Sequence, residues 1–224
     1  MPTNYLIMRE SERDLLNEII NYFKGVVKTH ETLYSFLEEN KENAEDKWLN
    51  DENYKSIIYE NEKSHTIYDD ILDDCMWVIQ KNEPRASHLR FIISLINSVK
   101  DLQRVSDYAL SIAKFFYKRV LNKQIYDSFM EAYKQTTDLS RYICDQFANK
   151  YVEDFREELS ERVDEYHKYL KNKIRTSVLI YNETDLSLEN KALIDLIAGF
   201  GALERTIEHE ENVIKAFYYI KVKK

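Results

Sequence analysis

The chain has 224 residues, a formal net charge of −8, 44% hydrophobic and 32% charged side chains, and only three glycines and two prolines. So few turn-forming residues predict an all-α protein of long helices with few connections. The negative charge repels nucleic acid and anionic lipid, and the sequence shows neither a signal-peptide pattern nor an apolar run long enough to span a membrane. We therefore expect a cytoplasmic protein without a nucleic-acid partner.

The first half of the chain carries apolar residues at helical spacing and predicts three helices. The first covers about residues 9–41 and the second about 52–81, with a charged connection between them that lacks an apolar stripe. The third is predicted for about residues 84–122, because Asn82 is a capping-type residue and Pro84 suits a first helical turn.

The second half predicts three more helices. Apolar residues recur over 125–147 and indicate the fourth helix, with a break expected near Thr136 and Thr137. The fifth helix covers about residues 152–181 and the sixth about 187–221, and a polar stretch separates them.

The third and sixth predicted helices match each other in sequence. Residues 92–117 and 193–218 share eight identities in 26 positions at an offset of 101 residues, where composition alone would give about one or two. An arginine and a lysine are among the identities, so shared apolar spacing does not account for the whole match. A duplicated three-helix unit follows, and we predict two tandem three-helix bundles, residues 1–121 and 122–224.

Acidic residues at helical spacing are the first candidate site. Glu204 and Glu208 lie four residues apart on the sixth helix, and Gln103 and Asp107 occupy the matching positions of the third. Positions four apart share a helix face, where two carboxylates repel each other unless a cation lies between them. The pair is therefore a candidate metal clamp, and the alternative is a solvated acidic face.

The second and fifth helices supply further candidate ligands. Glu62 and His65 lie on the second helix, and Glu161, Asp164 and His167 lie on the fifth. Glu62-x-x-His65 and Asp164-x-x-His167 have the carboxylate-x-x-His spacing of di-iron helical bundles, which makes a metal-dependent, di-iron-like helical enzyme an alternative interpretation. Such a site would lack one of its carboxylates, because the third helix carries Gln103 at that position. Taken singly, each histidine is more often a surface or packing residue.

Two segments resemble the signature of the PhoU family of phosphate-transport regulators. In that signature a proline precedes a Leu-Arg pair, and an Asp-Leu-Glu-Arg-x-x-Asp run ends in Ile-Ala. The first segment matches it at Pro84, Leu89, Arg90, Asp101, Leu102, Arg104, Asp107, Ile112 and Ala113. The second copy of the signature is matched at Leu203, Glu204, Arg205, His209 and Asn212. On the fifth helix, Asp164 stands at an acid of the family's Asp-x-x-Val-Asp pattern.

The resemblance implies two tandem three-helix bundles, multinuclear metal binding at the E(D)xxxD motifs, and regulation of a phosphate-specific ABC transporter through its ATPase subunit. In many bacteria it also implies a phosphate-sensing histidine kinase as a partner. Contact with the membrane would be peripheral, through these proteins, and the oligomeric state, a homodimer included, stays open. We expect a regulator rather than an enzyme, since the sequence has no glycine-rich phosphate loop, GxSxG or CxxC motif. A metal-free helical scaffold is the remaining alternative.

The two halves differ in the acids that the family motif would require. Gln103 and His65 stand where the first copy would have acids, whereas the second copy keeps an acid at each matched position. Oxygen-rich ligands favour Mg²⁺, Mn²⁺, Ca²⁺ or iron, and a charged carboxylate binds such cations far better than a neutral amide does. We therefore expect the second half to bind metal more tightly. The first site is expected to be empty or to take an ion that accepts imidazole. The predicted ligands are Glu204, Glu208, Asp164 and Glu161 in the second half, and Asp107, Gln103, His65 and Glu62 in the first.

Overall fold

The structure, a computed structural model, describes residues 10–40, 48–118, 123–150, 152–184 and 190–218. Within these ranges the chain forms six helices and no strand, which confirms the all-α prediction. In chain order they are α1 (Glu10–Glu39), α2 (Asp51–Asn82), α3 (Ser87–Lys118), α4 (Lys123–Asn149), α5 (Val152–Thr184) and α6 (Asn190–Tyr218). None of these six helices, as far as they are described, carries an apolar stretch long enough to cross a membrane.

The helices form two three-helix bundles that lie side by side, as predicted. Helices α1, α2 and α3 contact one another, as do α4, α5 and α6, while α3 packs along α6 and α1 along α4. Helices α2 and α5 are therefore outermost. The buried apolar side chains of both bundles join in one continuous core, so a boundary between independent domains at residues 121 and 122 stays a prediction.

A buried histidine ties three of the inner helices together. His30 of α1 is 1% exposed, and its Nε2 lies 2.9 Å from the Val105 carbonyl oxygen of α3. Its Nδ1 lies 3.1 Å from the Tyr133 hydroxyl of α4. Because burial lowers the pKa of His30 to about 4, the ring is neutral at neutral pH and its Nε2–H donates to the carbonyl. This contact links the first bundle to the second through α1 and α4.

The start of α3 differs from the prediction. The structure begins this helix at Ser87, three residues after Pro84. Glu83 adopts the left-handed conformation, with φ of 41°, and its N–H caps α2 by donating to the Ile79 carbonyl. Since Ala86 is also left-handed, with φ of 52°, Pro84 belongs to a tight connection and not to a first helical turn.

The break predicted near Thr136 and Thr137 is wrong, because α4 runs unbroken through both residues. Their hydroxyl groups form hydrogen bonds within α4 or to α5, and neither forms a turn. Thr136 Oγ1 donates to the Ala132 carbonyl at 2.9 Å and also lies 2.7 Å from the Tyr166 hydroxyl of α5. Both threonines are buried, and packing therefore outweighs their weak helix propensity.

Candidate metal centre

The second bundle brings three ligand-type side chains together where α5 meets α6. His167 of α5 and Glu204 and Glu208 of α6 each offer a ligand atom, and these atoms all lie within 4.8 Å of one another. The four-residue spacing of the two glutamates places them on successive turns of one face of α6. His167 and Glu204 are partly buried, whereas Glu208 is exposed. The cluster is thus open to solvent on one side.

His167 has an unsatisfied nitrogen. Its Nε2 is buried and has no hydrogen-bond partner among the residues that the structure describes. A buried polar atom without a partner costs free energy, and a metal ion is one group that satisfies an imidazole nitrogen. Together with two carboxylates, this donor set suits an ion that accepts mixed nitrogen and oxygen ligands, such as Mn²⁺ or iron. The residues present therefore fit a divalent metal ion.

The structure places the other two predicted ligands of the second half differently. Asp164 and Glu161 lie on the exposed surface of α5 and are outside the three-residue cluster. His167 entered the sequence reasoning only through its spacing from Asp164 and was not among the predicted ligands. The signal that could have found it was its position 102 residues after His65, close to the 101-residue offset of the repeat.

The first bundle holds the matching residues in a hydrogen-bonded network between α2 and α3. Gln103 Nε2 lies 2.9 Å from His65 Nδ1, and His65 Nε2 lies 3.0 Å from Asp107 Oδ1. The same Asp107 oxygen accepts a hydrogen bond of 3.0 Å from the side-chain amide of Asn61. Asn61 also donates to the Ser106 hydroxyl at 3.2 Å. The Asp107 carboxylate thus accepts hydrogen bonds from two side chains of α2, Asn61 and His65.

Sequence reasoning missed Asn61, although it lies four residues before His65 and shares its helix face. Glu62, which was among the predicted ligands, is exposed on α2 and takes no part in this network as described. An amide and an imidazole supply the donors that Asp107 needs, so the first set satisfies itself internally. A metal ion would have to displace these hydrogen bonds, and the first set fits one less well than the second.

The two carboxylate-x-x-His pairs do not converge. His65 lies on α2 and His167 on α5, and over their described lengths these two outermost helices do not contact each other. A di-iron bundle needs both pairs at one site. The two carboxylate-x-x-His pairs are therefore too far apart in the described helices to form the single di-iron site of the enzyme alternative.

A buried acid lies on α6 just beyond the metal-ligand cluster. Glu210 is fully buried, and within the described part of the chain neither of its carboxylate oxygens has a hydrogen-bond partner. Burial raises the pKa of Glu210 to about 8. The nearby Ser140 hydroxyl acts in the opposite direction and lowers this pKa, although the two side chains are not in hydrogen-bonding geometry. Glu210 is therefore largely protonated at neutral pH and adds little charge to the cluster.

Comparison with known proteins identifies similar sequences and structures. The family model described as the PhoU domain matches residues 26–116. An uncharacterised MG409 homolog of Mycoplasma pneumoniae is 30% identical over 233 residues, covering 97% of this chain and 96% of the relative. A phosphate-specific transport system accessory protein PhoU homolog of Pseudomonas putida is 26% identical and covers 66% of this chain and 58% of the relative.

A solved structure shares the fold over nearly the whole chain. The crystal structure of the phosphate transport system regulatory protein PhoU from Streptococcus pneumoniae superposes with a TM-score of 0.74 at 16% identity. The match covers 95% of this chain and 96% of that one. At this identity the likeness shows the fold alone.

Proposed function

The chain belongs to the PhoU family, and we propose from this premise that it is a cytoplasmic, non-enzymatic regulator of phosphate uptake that acts on a phosphate-specific ABC transporter. The observation that carries the proposal is the joint match of sequence and fold. The Pseudomonas putida relative is described as an accessory protein of a phosphate-specific transport system, and the PhoU fold extends over 95% of this chain.

The proposed partner is the ATPase subunit of the transporter, with a sensor histidine kinase as a second partner in hosts that have one. The absence of an apolar membrane-spanning stretch in the described helices agrees with a peripheral role, in which contact with the membrane passes through these proteins. The surface of the chain is acidic overall, so direct binding to anionic lipid is disfavoured.

We further propose that the second bundle binds a divalent metal ion through His167, Glu204 and Glu208. A bound dication supplies positive charge that offsets the repulsion between the two carboxylates. The chain's own contribution is positional: the i, i+4 spacing holds the glutamates on one face of α6, and α5 presents the imidazole beside them. The ion would thereby join α5 to α6 and stabilise the outermost helix of the bundle.

The experiment compares a deletion strain of the native host with strains that carry the wild-type gene or the Glu204→Gln/Glu208→Gln variant. We expect deletion to alter phosphate uptake and intracellular phosphate, wild type to restore them, and affinity purification of the tagged protein to recover the transporter's ATPase subunit. Unchanged phosphate in the deletion strain, with no transporter component co-purifying, would exclude the proposed regulator. A purified protein holding oxygen-reactive iron with substrate turnover would favour the enzyme alternative instead.

A further inference from the structure

A groove of about 610 Å³ lies between α1 and α2 of the first bundle. Its lining includes Lys63 and Ser64, which lie beside the first ligand set on α2. Its floor is apolar and includes Tyr22, Val26, Ile67 and Ile71. The two helices are joined across this floor by a buried hydrogen bond of 2.8 Å between the hydroxyls of Tyr22 and Ser64. The groove is thus a formed feature of the first bundle with a hydrophobic base.

The walls of the groove are acidic. Five carboxylates and one ammonium group line it, the carboxylates being Glu18, Glu60, Asp70, Asp73 and Asp74. The single ammonium, Lys63, lies 3.7 Å from Glu60 and leaves the other four acids without a cation from the lining.

Glu18 shows the consequence of this crowding. One of its carboxylate oxygens, Oε2, is buried and has no hydrogen-bond partner in the described ranges. Burial and the nearby charges of Asp74, Asp14 and Asp70 raise the pKa of its carboxyl. A cationic group in the groove would relieve this repulsion.

Two exposed aromatic side chains lie on α2 outside the groove lining, next in sequence or one turn from residues that line it. Tyr59 is 63% exposed and Trp77 is 52% exposed. Their spacing of 18 residues equals five helical turns, so they lie on one face of α2 about 27 Å apart. Asp70 and Asp73 lie between them on that same face. Tyrosine and tryptophan are enriched among the residues that anchor protein interfaces, and Trp77 already holds the ammonium of Lys81 4.2 Å from its ring centroid.

We propose that this groove is the docking surface for a basic amphipathic helix of a partner protein. The apolar face of that helix would pack on the floor formed around Val26 and Ile67, and its lysines or arginines would pair with the acidic walls. A second copy of this chain is a poor occupant, because its net charge of −8 would meet walls of the same sign. The inference goes beyond the proposed function and does not rest on it.

The probe is a synthetic, fluorescein-labelled, 18-residue amphipathic peptide with leucine on one face and lysine on its flanks, and anisotropy reports its binding to the full chain. We expect the Asp70→Asn/Asp73→Asn/Asp74→Asn variant to bind about tenfold or more weakly than wild type. A matched triple variant on α4 and α5, Asp145→Asn/Asp154→Asn/Glu157→Gln, removes the same charge from exposed positions elsewhere. It should change binding by less than about twofold, since distant exposed charges are screened.

A steric variant tests the location independently of charge. Gly25 lines the groove, and a Cβ built there meets no atom within 4 Å. Both substitutions therefore begin from a Cβ that clashes with nothing, and a circular dichroism spectrum checks that Gly25→Tyr folds. Gly25→Tyr should obstruct the groove, whereas Gly25→Ala should bind the peptide as wild type does. Peptide binding should also shift the fluorescence of Trp77, which is exposed, and Trp77→Phe should remove that shift while buried Trp48 stays silent.

Several results would overturn the proposal. These are no peptide binding by wild type, equal losses in the two triple variants, or unchanged binding by Gly25→Tyr. A concentration-dependent dimer of the wild type that Gly25→Tyr abolishes would show instead that a second copy fills the groove.

Discussion

His209 of α6 places its Nδ1 2.7 Å from Oδ1 of Asp101 on α3, and this contact crosses the interface between the two bundles. Both side chains are about one-fifth exposed, at 20% and 21%. On its other side, His209 Nε2 lies 3.4 Å from the Tyr108 hydroxyl, also on α3. A partly buried hydrogen-bonded pair held in one geometry contributes more to the free energy of folding than a solvent-exposed pair does.

We expect this pair to couple the two bundles. A double-mutant cycle with Asp101→Asn and His209→Gln should give a coupling free energy of about 1–2 kcal/mol in urea unfolding near pH 6. The exposed pair Lys134 and Asp138, 3.1 Å apart, is the control and should give about 0.3–0.5 kcal/mol. Equal coupling energies for the two pairs would contradict a special role for the Asp101 contact.

Glu210 should make stability depend on pH. Its folded pKa of about 8 lies above the ordinary value of 4.5, so the stability it contributes is full below about pH 4.5 and is lost as pH rises through about 8. The Glu210→Gln variant has no ionisable group at this position. Its free energy of unfolding relative to wild type should therefore rise by about 1.4 kcal/mol per pH unit between about pH 4.5 and 8. Urea unfolding at pH 5, 6.5 and 8 measures the difference.

His30 changes stability in the opposite direction, because its pKa is lowered to about 4, but it is present in both proteins and cancels in the difference. The exposed Glu157→Gln variant is the control and should follow wild type at each pH. A difference between wild type and Glu210→Gln that stays constant from pH 5 to 8 would contradict the assignment of a buried, protonated acid.

Two glycines should respond oppositely to alanine. At Gly25 a Cβ meets nothing within 4 Å, so Gly25→Ala should raise the free energy of unfolding by about 0.5–1 kcal/mol through helix propensity. At Gly199 the added Cβ would lie 3.2 Å from the ring of Phe129. Phe129 is fully buried and packs against Phe200 at 5.1 Å, so it cannot move aside easily, and Gly199→Ala should destabilise. Thermal unfolding of both variants measures this contrast, and a stabilised Gly199→Ala would contradict it.

Metal binding should depend on the second bundle. Isothermal titration with Mn²⁺ should show binding to wild type that falls at least about tenfold in Glu204→Gln/Glu208→Gln and in His167→Ala. Asp164→Asn is the comparison, since Asp164 lies outside the cluster, and should bind nearly as wild type does. Unchanged binding in the double variant, or no binding by wild type, would leave the two glutamates as a solvated helix face.

The first bundle should gain metal affinity when its missing acid is restored. Gln103→Glu places a second carboxylate four residues before Asp107, and a charged carboxylate binds a dication far better than a neutral amide does. We expect Mn²⁺ stoichiometry to rise toward one further ion per chain, with Gln103→Ala as the control that removes the amide without adding charge. Stoichiometry that stays the same in Gln103→Glu would show that Asn61 and His65 hold Asp107 too firmly.

The sequence alone determined the helical class, the approximate helices and the pairing of the two glutamates. Helical periodicity and the lack of turn formers were enough for the first two, because each depends on local residue order. Glu204 and Glu208 share a face wherever α6 packs, since only the helix repeat decides it. The resemblance to the PhoU family came from a motif that occurs twice, and the PhoU domain model matches residues 26–116, which contain its first copy.

Only the tertiary structure decided which neighbours those residues meet. Asp164 and His167 are one turn apart on α5, and the rotation of α5 against α6 brings the imidazole to the glutamates and leaves the aspartate exposed. The same applies to Asn61, whose amide reaches Asp107 because α2 packs against α3. These contacts depend on how the helices pack against each other, and they join residues more than 35 positions apart in the chain. Asn61 and Asp107, for example, are 46 positions apart. A local sequence pattern does not encode the geometry between two such helices.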